Sequence, residues 1–316
     1  MKKIYILLLV SILSFSGIYS QTITIGSISP TTYCAGATIN IPFTITGSFN
    51  TGNTFTAQLS DASGSFGGSP TSIGTLSSQS TGTINGVIPS TSIGGTNYKI
   101  RIKSSSPSDT ISPSVTIAIN QKPIASFITN PSMQSICFGD SITFTNSINL
   151  QPSGQTAKWY FPGATDISSN SWTPNFPRVW HSTGNTTLIA PCSLIVTITN
   201  TGCSDTIIKN FTINPYPSIN SPSTGQVCSG VVQNYNITSN VFGTTFNWSR
   251  AFVLGISNNA VTNQTSNTIT EALINTTSNS IVVDYLITPK IGNCQGTQFI
   301  YKVTVNPSVF PQFVLP

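Results

Sequence analysis

Residues Cys203–Gly230 read CSDTIIKNFTINPYPSINSPSTGQVCSG, a stretch that holds the end of one strand, a joint and the start of the next element. Phe211 and Ile213 alternate with polar residues up to Asn214-Pro215, a polar segment follows, and Cys228-Ser229-Gly230 leads into Tyr235 and Ile237. The same grammar occurs three times. Cys34-Ala35-Gly36 precedes Ile39, Ile41, Phe43 and Ile45, and Cys137-Phe138-Gly139 precedes Ile142 and Phe144. Closing runs end at Asn120, Asn214 and Asn306, each with a Pro shortly after. The closing asparagines are 94 and 92 positions apart, which is an internal repeat. Apolar residues at period two, bounded by Gly, Pro, Asn and Ser, predict strands with one buried face and one wet face.

Composition narrows the class. Charged residues make up 6% of the 316-residue chain, against about 25% in an average globular protein. Its 38% hydrophobic content, arranged in regular alternation, argues for folded β-domains over disorder. Lys2 and Lys3, followed by the apolar run Ile4–Phe15 and a small-residue site before Gln21, predict a secretory signal peptide over residues 1–20. No later run is long enough for a membrane helix, so no transmembrane segment is expected after signal removal. Without Lys2 and Lys3 the net charge is +3, too weak and scattered for a nucleic-acid partner. Lys99, Arg101 and Lys103 alternate with Tyr98, Ile100 and Ile102, and this stripe reads as the solvated face of a strand that discourages edge pairing.

Catalytic chemistry has little to draw on. One histidine, His181, and seven carboxylates are dispersed over the chain, whereas hydrolysis needs a paired acid and base or an oriented nucleophile. Metal binding needs several convergent ligands. The expectation is no enzyme, no cofactor and no metal.

Trp159-Tyr160-Phe161-Pro162-Gly163 resembles the W-x-F-G motif of PKD domains, and Thr199–Asp205 resembles that family's F-to-G turn. Phe246–Arg250 with Gly255–Asn258 is similar to PKD-like repeats, and Phe55–Phe66 to Ig-like repeats of the same multidomain proteins, which occur on gliding, type-IX-secreting bacteria. The resemblance implies an all-β chain of three tandem Ig-like/PKD-like β-sandwich domains in an elongated head-to-tail array. The predicted divisions are 21–120 (Ig-like), 121–214 (PKD) and 215–308 (PKD-like), with 309–316 resembling the first strand of a further module. Trp159 and Trp248 match the strand-C tryptophan of such cores. The Asp-Ser/Thr-apolar triplets beginning at Asp109, Asp140 and Asp205 resemble acceptors of periplasmic O-glycosylation at Thr110, Ser141 and Thr206, or are turn residues before strands.

Six cysteines in an exported chain invite disulfides. Cys137–Cys203 and Cys228–Cys294 share a spacing of 66 residues, but in an Ig-like sandwich the two positions lie at opposite ends, about 20 Å apart, and a disulfide needs Cα atoms within about 7 Å. A staggered rule, in which the opening Cys of one module meets the turn Cys of the next, pairs Cys34 with Cys203 and Cys137 with Cys294. Cys228 is left open-ended. Cys192 stays unpaired or bridges its own sandwich to Cys137. Trp172, in the irregular segment from Pro162 to Pro191, is the candidate exposed platform for a sugar or peptide.

The expected function is a non-enzymatic segment of a cell-surface adhesin or surface filament with semi-rigid, disulfide-linked joints, secreted or held at the cell surface. Partners would be other surface proteins or glycans, with self-association through the C-terminal strand. The alternatives are a spacer or accessory region of an extracellular enzyme, and a carbohydrate-binding module.

Overall fold

The computed structural model describes residues 20–67, 70–148, 151–164, 168–172, 177–181 and 184–308. The signal peptide and the C-terminal strand lie outside the described residues, apart from residue 20. Among the described residues every regular element is a strand, and no helix is long and apolar enough to cross a membrane. The chain divides into two compact units, Met1–Pro123 with Ile198–Ser204, and Ile124–Thr197 with Asp205–Pro316.

In the first unit the strands are β1 (Thr22–Ile25), β2 (Thr32–Cys34), β3 (Thr38–Thr46), β4 (Thr54–Leu59), β5 (Thr71–Ser77), β6 (Gly82–Val87), β7 (Gly95–Ser105), β8 (Ser108–Ile111) and β9 (Val115–Asn120). They form a β1-β3-β6 sheet and a β2-β9-β7-β4-β5 sheet, with β8 on β7. Alternation decides which side chains meet between the sheets. Ile39, Ile41 and Phe43 of β3 face Phe55, Ala57 and Leu59 of β4 and Ile100 and Ile102 of β7 in one buried cluster. Each fully buried Ile, Leu or Phe contributes about 1.5–3 kcal/mol. Lys99, Arg101 and Lys103 do project away from that core, but β7 lies between β9 and β4, so they guard no sheet edge. Arg101 is held instead by Gln58 (Nε to Oε1, 2.8 Å) and lies over the Phe66 ring.

The second unit contains two hydrophobic clusters. Around the first are β10 (Phe127–Asn130), β11 (Ser135–Cys137), β12 (Ser141–Asn146), β13 (Gln155–Tyr160), β14 (Ser168–Ser169), β15 (Pro177–Val179), β16 (Leu188–Ile198) and β17 (Ser204–Asn214), in sheets β10-β12-β15 and β11-β17-β16-β13-β14. Its core is aromatic: the Phe144 ring lies within 6.3 Å of the rings of Phe127, Trp159, Phe161, Trp180 and Phe211. Around the other are β18 (Thr224–Cys228), β19 (Tyr235–Asn236), β20 (Thr245–Arg250), β21 (Val261–Gln264), β22 (Thr268–Ile269), β23 (Ile281–Ile291), β24 (Cys294–Gln295) and β25 (Phe299–Asn306), with a β18-β25-β23-β20-β21 sheet, β24 on β23, and a β19-β22 pair. The large sheets repeat one order, in which the short opening strand runs parallel to the closing strand.

Trp172 corrects an expectation. It is 7% exposed and belongs to the aromatic cluster, so it offers no ligand platform. Its indole N–H donates to the Ile148 carbonyl at 2.8 Å. The other tryptophans do the same: Trp159 donates to Ser171 O, Trp180 to Pro162 O and Trp248 to Ser266 O. A buried indole needs such an acceptor, and loop carbonyls beside these cores supply it. Trp172 is therefore held by packing and one hydrogen bond.

Candidate functional site

The opening Cys-x-Gly triplets form one structure made three times. Each cysteine ends its opening strand directly opposite the closing asparagine: Cys34 opposite Asn120, Cys137 opposite Asn214, Cys228 opposite Asn306. The next residue's N–H bonds that asparagine's carbonyl, from Ala35, Phe138 and Ser229. The glycine then takes a positive φ of 84°, 87° or 78°, and the following N–H returns to the cysteine carbonyl at 3.0–3.1 Å. This is a type II turn, whose third position requires the left-handed region, and that is why Gly stands two residues after each Cys.

Cys34 is bonded to Cys203 and Cys137 to Cys294, with Cα separations of 5.6 and 5.5 Å. Both partners sit in turns between or just after long strands. Cys203 precedes β17 in a turn closed by Gly202 N–H to Ile198 O (2.8 Å) and Ile198 N–H to Cys203 O (2.9 Å). Cys294 follows Gly292 in the β23–β24 hairpin and is fully buried. Around the second bond the two sandwiches of that unit interlock. Asn214, which donates to Ser135 Oγ and accepts from Thr187 Oγ1 within its own sandwich, both at 3.0 Å, presents its carbonyl to the Cys294 sulfur at 3.8 Å. Asn293 donates to the Met133 sulfur at 3.5 Å, and Asn240 donates to Asn185 Oδ1 at 2.9 Å. Gly292 passes so close to Asn214 that a Cβ would lie 3.0 Å from its Nδ2.

Cys192 and Cys228 are free. Cys192 faces inward on β16 with Ala190, Leu194 and Val196, so the expected rival bridge to Cys137 is not formed. Burial pushes its thiol up to about 12, which makes it an inert core residue. Cys228 is exposed.

A second polar cluster was not foreseen. Arg250 is fully buried and pairs bidentately with Glu271 (Nε–Oε2 2.9 Å, Nη2–Oε1 3.0 Å); Tyr285 donates to Glu271 Oε2 at 2.6 Å, and Gln233 donates to Tyr285. The signal was there in β20, because Phe246, Trp248 and Arg250 share the inward phase. Burial alone would raise the Glu271 carboxyl, but hydrogen bonds from Arg250 and Tyr285 and the guanidinium charge outweigh it and hold the group below its ordinary 4.5. A depressed carboxyl stabilises the fold fully above that value and loses its contribution as pH falls through the folded value. Acid titration of unfolding is expected to show wild type losing stability below about pH 4.5 more steeply than Glu271→Gln, which starts less stable at neutral pH. Parallel curves would exclude this role.

Other polar side chains serve the backbone. Asp140 accepts from Cys137 N–H and Asp205 from Ala125 N–H, and Asp61 accepts from Ser63 and Ser65 within its own turn. Among the described residues no three His, Cys, Asp or Glu side chains converge as a metal would require.

Comparison with known protein families finds a match over part of the chain. Residues 225–309 match the PKD-like domain. That PKD-like segment contains the opening turn after Cys228, the Arg250–Glu271 pair and the Cys294 hairpin. No curated protein sequence matches the chain. Among solved structures, it is similar to the N-terminal eight Ig domains of Down Syndrome Cell Adhesion Molecule, with a TM-score of 0.40 and 10% identity over 91% of this chain and 37% of that one. It is also similar to an I-band fragment of titin (TM-score 0.33, 10% identity, 92% and 98% covered). Fibronectin(III)-like modules of Clostridium thermocellum CbhA align over 58% of this chain and 95% of theirs, at a TM-score of 0.26 and 7% identity.

Proposed function

We propose that the chain is a non-enzymatic, exported structural or binding protein, part of a cell-surface adhesin or filament of a type-IX-secreting bacterium. Its modules are 21–120, 121–214 and 215–308, and its joints are fastened by disulfides. The observation that carries this reading is the pair of bonds from Cys34 and Cys137, each leaving an opening turn for the turn cysteine of the next repeat. Such bonds persist in oxidising compartments and are rare in the cytosol. They act with the joint prolines to limit swivelling, which gives a surface array reach without internal collapse. Protease treatment of intact source cells, with thiols alkylated first, tests the reading. Cleavage of the protein on intact cells, with Cys34, Cys137, Cys203 and Cys294 protected until reduction, is expected. A protease-resistant, intracellular protein with all six thiols alkylated would contradict it.

A further inference from the structure

We propose that the outward face of the β18-β25-β23-β20-β21 sheet pairs with the same face of a second copy of this chain, through Val282, Asp284 and Leu286 of β23 and Ile300 and Lys302 of β25. Alternation puts these side chains on the side of the sheet opposite the buried Val283, Tyr285, Tyr301 and Val303. Val282 is 54% exposed, Ile300 42% and Leu286 36%. A single exposed apolar residue is ordinary, but these three share one face, and the register places Leu286 directly opposite Ile300. One row along, Asp284 stands directly opposite Lys302, with the ammonium 3.0 Å from the carboxylate and both side chains half-exposed. Exposed Thr224 and Gln226 of β18 and Asn247 of β20 give the patch an uncharged rim.

The register makes this face complementary to itself. A two-fold axis parallel to the strands, above the seam between β23 and β25, lays β23 of one copy over β25 of the other. Paired residues sit at the same height along their strands. The rotation therefore sets Asp284 of each copy against Lys302 of the other, and Leu286 of each against Ile300 of the other. Such an isologous contact closes at two subunits. Its opposite charges fix the register and suppress slipped pairings that would bring like charges together.

The first unit offers the contrast. Its strand in the same sheet position, β7, carries Lys99, Arg101 and Lys103 on the outward face, and two copies laid together there would meet cation to cation. Size sets the strength of the proposed contact. Four strands at about 4.8 Å spacing make a patch about 20 Å across, so the paired faces bury less than the roughly 1,200 Å² of a standard interface. Pairing is weak between two free chains and gains strength where many copies are held side by side.

This inference goes beyond the exported reading and does not depend on it, because pairing is measured on purified protein. Sedimentation equilibrium of the full chain, carrying Cys228→Ser so that no bond through that thiol intervenes, is expected to show a concentration-dependent monomer–dimer equilibrium. Asp284→Lys or Lys302→Asp alone makes the face single-signed and is expected to weaken association about tenfold or more. An equimolar mixture of those two variants is expected to regain it as a mixed dimer, since one face is then cationic and the other anionic. Ile300→Thr keeps a β-branched residue on the strand and is expected to weaken association with little change in the urea midpoint, so it carries the test if a charge variant fails to fold. A chain that stays monomeric at about 1 mM would overturn the proposal. So would association that the folded variants leave unchanged, which runs through another surface such as 309–316, or loss in both charge variants without recovery on mixing.

Discussion

Replacing Trp159 by alanine is expected to cost about 3–5 kcal/mol, the range for emptying a core site of a large aromatic. The side chain is fully buried. Its ring lies 5.4 Å from Phe127, 5.9 Å from Phe161 in a stacked arrangement, and 6.3 Å from Phe144. Truncation would open a cavity among rings that hold each other in place, and rigid aromatic neighbours collapse poorly into such a space. It would also remove the indole donor from the carbonyl of the exposed Ser171, a smaller loss because water can replace the donor. Against a typical domain stability of about 5–15 kcal/mol, this is enough to bring the sandwich near unfolding at ordinary temperature. Urea titration followed by far-ultraviolet circular dichroism would read the loss as a lower midpoint of one transition. A change below about 1 kcal/mol would mean the indole is not in the core.

Loss of the Cys137–Cys294 bond is the second large effect. The double variant Cys137→Ser/Cys294→Ser is expected to lose about 2–4 kcal/mol, because a cross-link restricts the unfolded chain. The bonded residues are 157 positions apart, so the restriction acts on a long loop, where closure entropy is largest. In the folded state the bond also fixes the β23–β24 hairpin against Asn214, whose carbonyl lies 3.8 Å from the Cys294 sulfur. Substituting both cysteines avoids leaving a reactive thiol in a buried site. The measurement is the denaturation midpoint with and without reductant. Wild type should fall to the level of the variant when reduced, provided Cys34 and Cys203 are also serine in both proteins. Identical midpoints before and after reduction would show that the bond constrains nothing.

The sandwiches were legible in the sequence because alternation is regular where both sheets face one core. Ile39, Ile41 and Phe43, or Ile100 and Ile102, announce their facing through period two alone, and Trp159 and Trp248 stand in phase with such runs. Trp172 was misread because its segment has no period: nothing in Ser171-Trp172-Thr173-Pro174 states which way an indole turns, and the acceptor at Ile148 comes from a distant loop. Arg250 was missed for a different reason. Its inward phase was visible, but its counter-ion Glu271 lies 21 residues on in an irregular stretch and joins it only when the sheets pack. For the cysteines, equal spacing alone offered Cys137–Cys203 and Cys228–Cys294, whereas the placement of each residue at one end of a sandwich set the expectation at Cys34–Cys203 and Cys137–Cys294, the pairs that are bonded. The difference lies in which end of a sandwich each residue occupies, a property of strand direction and not of spacing.

The central claim is that opening turns are bonded to turn cysteines of the following repeat. Non-reducing digestion of the purified full-length chain, with linked peptides identified by mass spectrometry before and after reduction, tests it most directly. The account predicts peptides joining Cys34 to Cys203 and Cys137 to Cys294, with Cys192 alkylated only after unfolding. Recovery of Cys137 joined to Cys203, or of Cys228 joined to Cys294, would contradict it.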